Sequence, residues 1–65
     1  MRIEFQWRGI TWELQCTPRG FAYRDKAHLG GPWTSIYPTI DNPAIHAGFR
    51  RALHRAVQAL KEVIQ

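Results

Sequence analysis

The 65-residue chain contains one cysteine, Cys16, which excludes a disulfide within it and any cysteine-based zinc site. Long apolar runs are also missing. The opening stretch Met1-Arg2-Ile3-Glu4-Phe5-Gln6-Trp7 interrupts its apolar residues at every second position, so it makes no signal-peptide core. Nothing approaches the ~20 residues needed to cross a bilayer. These absences set the expectation of a cytoplasmic protein that does not enter membranes. Acid is scarce: five Asp/Glu stand against nine Lys/Arg, for a net charge of +4. Such a surplus suits polyanions, either nucleic acid or an acidic protein face, and equally serves to keep a small protein soluble.

Catalytic and metal-binding patterns are lacking as well. His28-Leu29-Gly30-Gly31-Pro32 has no Lys-Ser/Thr to engage phosphate and opens no helix, so it is not a phosphate loop. His46 and His54 lie two turns apart on one element without a third ligand at fixed spacing, and His28 adds none. Neither Ser35 nor Cys16 has a histidine at a spacing that would make it a nucleophile. The expectation is a protein that is not an enzyme and takes no cofactor and no metal.

What is present is a change of hydrophobic period. Apolar and polar residues alternate from Met1 to Cys16 and recur at three and four from Ala44 to Ile64, the periods of a strand and of a helix. Ile3, Phe5 and Trp7 precede Arg8-Gly9; Ile10, Trp12, Leu14 and Cys16 follow it. A two-residue loop at Arg8-Gly9 pairs Trp7 with Ile10, Phe5 with Trp12 and Ile3 with Leu14, apolar on apolar throughout. The same register sets Glu4 opposite Glu13. Thr17-Pro18-Arg19-Gly20 is a turn by composition. A third strand then brings Arg24 beside Glu13, Tyr23 beside Leu14 and Phe21 beside Cys16.

The predicted elements are strands over residues 2–8, 10–17 and 21–25, a loop over 26–32, a short edge strand over 33–37 limited by Pro38, and a helix over 43–64. Asn42 or Asp41 is the expected helix cap, with Pro43 at the first helical position. Ile45, Phe49, Ala52, Leu53, Ala56, Leu60, Val63 and Ile64 form its apolar stripe. Gly48 is expected to admit a large sheet residue such as Trp12. The fold class is α+β: a three- to four-stranded antiparallel meander packed on one C-terminal helix, in one small domain. Chains of this size bury only ~60% of their unfolded surface, so the three Trp, three Phe and two Tyr matter to the core.

The helix carries His46, Arg50, Arg51, His54 and Arg55 away from its stripe. Guanidinium forks at this density suit carboxylate or phosphate contacts, and cations near a helix start do nothing for the helix itself. The outer sheet face reads Arg2, Glu4, Gln6, Thr11, Glu13, Gln15, Ala22 and Arg24. It is mixed in charge and without a ring, which predicts a solvated face and no base stacking. Trp33 and Tyr37 either close the open end of the core or stand out as binding anchors.

Three strands followed by a helix resembles the AP2-type and integrase arm-binding DNA domains, the likeness resting on Arg8-Gly9-Ile10 and on the stretch from Trp33 to Ala47. Those sheets point several basic residues outward, whereas Glu4 and Glu13 occupy that face here. The layout is also similar to that of HicB-type antitoxins. Size and composition resemble the small inhibitors carried by mobile elements, anti-CRISPR proteins among them. The expected function is therefore a non-enzymatic interaction protein. It would dock on a larger protein or nucleoprotein complex with an acidic patch through Arg50, Arg51, His54, Arg55, Trp33 and Tyr37, as a monomer or homodimer. Nucleic-acid binding by the same helix face is the alternative.

Overall fold

The computed structural model describes every residue except Leu29, within the expected 26–32 loop, and Gln65. The elements run β1 (Arg2–Trp7), β2 (Ile10–Thr17), β3 (Gly20–Asp25), β4 (Thr34–Ser35), α1 (Tyr37–Ile40) and α2 (Ala47–Ile64). The strands form one antiparallel sheet in sequence order, and α2 packs across the face that bears Ile3, Phe5, Trp7 and Leu14.

The expected register holds along the first hairpin, with Trp7 opposite Ile10, Phe5 opposite Trp12 and Ile3 opposite Leu14. Arg8 and Gly9 both take positive φ, 50° and 78°, the pair that a two-residue hairpin turn of matching twist requires. Arginine is a poor residue for that conformation. Its guanidinium lies over the Trp7 ring at 4.7 Å, a contact of the same order as the backbone cost. The second hairpin sets Glu13 opposite Arg24 and Leu14 opposite Tyr23, again as expected.

Leu14, Ile36, Phe49, Leu53, Ala56, Val57 and Leu60 form the buried core. Phe49 is its hub, with ring centroids of Trp12, Trp7, Tyr23 and Phe5 at 4.8, 5.2, 5.6 and 6.4 Å. Val57, outside the expected stripe, is buried because α1 and Ile36 cover that side of α2. Val63 and Ile64, within it, remain exposed.

Three expectations are corrected. The edge strand is only two residues long, and Tyr37 begins α1. Helix α2 starts at Ala47, since Asn42 Oδ1 accepts from the Ala44 amide at 2.9 Å and closes a separate turn in place of a cap. His46 stands before the helix, its Nδ1 accepting from the Gly48 amide at 2.9 Å and its carbonyl from the Arg50 amide. Gly48 does admit a large sheet residue, but the residue is Trp7: a Cβ there would lie 3.3 Å from Trp7 Nε1 and 3.1 Å from His46 Nδ1.

Candidate functional site

Ion pairing decides where the net charge resides. On the outer sheet face Glu4 holds Lys26 at 2.6 Å, and Glu13 holds Arg24 at 3.2 Å and Arg2 at 3.4 Å. Asp25 sits 3.3 Å from His28. The hydrogen bond to Glu4, with the attraction of its charge, raises the Lys26 amine above its ordinary value of 10.5. Glu4 and Glu13 thus hold all three cations Arg2, Arg24 and Lys26, and Asp25 beside His28 brings this group to charge balance. The remaining six cations, Arg8, Arg19, Arg50, Arg51, Arg55 and Lys61, are offset in number only by Asp41 and Glu62, which accounts for the whole +4.

The outer face is not the open, ringless surface expected. Glu13 is only 5% exposed, and the Trp33 ring lies over Arg24 at 4.2 Å and Arg2 at 5.3 Å. Arg24 also donates to the Gly31 carbonyl at 3.4 Å, so the loop after β3 folds back over the sheet and carries Trp33 with it. Nothing in the strand alternation signals this. The pairing of Arg24 with Glu13 was readable, whereas the return of the loop is a tertiary event.

Four of the unmatched cations lie on α2. Arg50, Arg51 and His54 line a shallow recess of about 250 Å³ with Ile40 and Ala47. Arg51, His54 and Arg55 are exposed, while Arg50 is half-buried and donates from Nε to the Ile45 carbonyl at 3.1 Å. The first turn of α2 holds no acidic residue, so helix dipole and side chains present the same sign there. Beyond α1 a second groove continues the surface, bringing together Tyr37, His54 and Lys61, with Tyr37 59% exposed.

The six expected site residues therefore divide. Arg50, Arg51 and His54 share one recess, Arg55 follows on the same helix, and Tyr37 flanks them across α1. Trp33 lies on the opposite face of the sheet, stacked on Arg24, and belongs to no common surface with the others. Lys61, outside the expected set, joins the cationic flank and reaches over the Phe21 ring at 5.9 Å. Its spacing from His54, two turns along the helix, was the available signal.

The histidines occupy three separate settings: His28 beside Asp25, His46 at the start of α2, and His54 in the recess. Compared with protein-family models, curated proteins and solved structures, the chain matches none of them.

Proposed function

We propose that the protein acts without catalysis. It docks the cationic flank of α2, with Tyr37 at its border, on an acidic patch of a larger protein or nucleoprotein complex. The single observation behind this reading is the segregation of charge: the sheet neutralises its own carboxylates and leaves the surplus on α2 and its surroundings. An apolar floor of Ile40 and Ala47 beneath arginine walls suits a partner carboxylate and the carbon chain that carries it. The stretch from Arg50 to Lys61 spans roughly 16 Å at the helical rise, a small footprint. A body of 30 × 24 × 20 Å held there obstructs whatever lies beside it, the steric mode of small phage inhibitors of the anti-CRISPR type.

The test measures binding of a fluorescent polyglutamate peptide, a 20-base-pair DNA duplex and a single-stranded RNA at low salt. Polyglutamate is expected to bind. The doubly reversed variant Arg51→Glu/Arg55→Glu should bind roughly tenfold more weakly, both side chains being exposed and neither holding the fold. Arg50 is avoided because its guanidinium supports the start of α2. Binding to the duplex with a log–log salt slope near −0.9 per phosphate makes this a nucleic-acid surface instead, and binding to none of the three refutes the reading.

A further inference from the structure

The two edges of the sheet are built differently. β4 is two residues long and is bracketed by Pro32 and Pro38, so it offers little to pair with. β1 is six residues long, runs without a bulge against β2, and contains no proline. The Cys16 amide donates to the Met1 carbonyl, which fixes the phase of the ladder. Ile3, Phe5 and Trp7 then turn their backbone groups toward β2, while Arg2, Glu4 and Gln6 turn theirs outward. No described residue pairs with those outward amides and carbonyls. The charged side chains that would guard such an edge are drawn the other way, Arg2 to Glu13 and Glu4 to Lys26.

Helix α2 is shaped to the same boundary. Lys61 lies over Phe21 of β3, and His54 faces the groove beside α1, so this flank of α2 looks toward β3. Ala52, Ala59 and Val63 fall on the opposite side at 100° per residue. That side follows Gly48, which touches Trp7 of β1. The flank over the β1 edge is therefore made of Gly48, Ala52, Ala59 and Val63, with the exposed Arg55 at its solvent border. Ala59 is exposed and Val63 is 57% exposed, and Met1 at the end of β1 is 63% exposed.

We infer that β1 pairs antiparallel with β1 of a second copy of this chain, about a two-fold axis at Glu4, to form one continuous eight-stranded sheet. In this register Arg2 meets the second copy's Gln6 on both sides, and Glu4 meets Glu4. Every outward amide and carbonyl of the edge gains a partner. On the inner face Ile3 meets the second copy's Phe5, apolar on apolar as in the hairpin. Each Glu4 keeps its Lys26, which offsets the like-charge pair at the axis. The two α2 helices come side by side on one face, where Ala52 and Ala59 permit the ~8–10 Å axial spacing of packed helices. A strand edge alone is small for the ~1,200 Å² at which stable interfaces begin, so the helix flank is an integral part of the surface. His54 and Lys61 point away from this junction, whereas Arg55 borders it about 40° from Ala59; the pairing of the two β1 backbones does not depend on what binds the cationic residues.

Light scattering on the eluting full chain should give about 15 kDa, twice the 7.6 kDa monomer. Hydrogen exchange should show the Glu4 and Gln6 amides protected in the dimer and released on dilution, while Ile3 and Phe5 stay protected throughout. Glu4→Pro removes an amide that no intrachain bond uses, and Ala59→Arg places a long cation on the helix flank. Each is expected to yield a folded monomer by circular dichroism. A wild-type chain that elutes as a monomer at its highest workable concentration overturns the inference. So does a dimer that leaves the Glu4 and Gln6 amides unprotected. If Glu4→Pro fails to fold, Ala59→Arg decides: a folded dimer in that variant overturns the proposal.

Discussion

Glu13 projects from the polar face of the sheet and is nonetheless buried, because Arg2, Arg24 and the Trp33 ring close around it. Removing one partner of a buried ion pair leaves the others uncompensated, at about 3–5 kcal/mol where all are enclosed. Arg2 is half-exposed, which lowers the figure. Glu13→Gln should therefore destabilise the fold by about 2 kcal/mol, read as a lower urea midpoint with unchanged slope. An unchanged midpoint would mean that Trp33 alone holds Arg24 in place. Lys26 acts on the neighbouring carboxylate, Glu4, which stands directly opposite Glu13. Its amine is raised in the folded chain by the Glu4 hydrogen bond first and its charge second, so the stabilisation is complete below pH 10.5 and disappears as pH rises through the folded value. The melting-temperature gap between the wild type and Lys26→Met should hold steady near neutrality and close in strong alkali. High salt should narrow it too, since the pair is exposed.

At the scale of the element, α2 begins where tertiary contact places its cap. Asn42 and Pro43 are good starting residues by chemistry, yet Asn42 bonds the Ala44 amide and closes a turn. His46 takes the role with an acceptor nitrogen, its ring centroid 5.4 Å from that of Trp7. Arg8 Nη2 also approaches His46 Nε2, at 2.9 Å. Arginine only donates and a neutral imidazole accepts at one nitrogen, so the Arg8 bond at Nε2 and the Gly48 bond at Nδ1 belong to alternative tautomers, with Arg8 stacked on Trp7 in either. Losing a capping acceptor costs about 1 kcal/mol. His46→Ala should lower the melting temperature by roughly 4–8 °C, and His46→Asn, which restores a capping acceptor, should recover most of that loss. Equal losses in both variants would assign the role of His46 to its packing on Trp7. The first three strands, by contrast, were readable from the sequence almost to the residue. Period-two alternation and the Arg8-Gly9 turn each demand the same register, and a slip by one would turn Trp7, Phe5 and Ile3 out to solvent.

Across the whole molecule, the two proposed surfaces share α2: the ionic one gathers around Arg50, Arg51 and His54, and the β1 junction begins beside Arg55. The proposed contact on the Arg51 and Arg55 side is ionic and should weaken as salt rises. The proposed contact along β1 joins two chains of +4 each and should strengthen as salt screens their repulsion. One titration with sodium chloride, followed by polyglutamate binding in one arm and by mass in the other, reads both surfaces with opposite signs. A domain this small has little buried area in reserve, and pairing along β1 would also cover the exposed Met1 and Val63.

The sequence by itself determined the class of fold, the register of both hairpins, the span of most of α2 and the presence of a basic band on it. These follow from periodicity and from turns, which act between near neighbours in the chain. Only the tertiary structure decided that Trp33 lies across the outer face, that His46 caps α2, that the sheet carboxylates are already matched, and that β1 keeps an open edge. Each of those outcomes depends on which distant groups meet in space, and a pattern of spacings along one strand or helix carries no record of that.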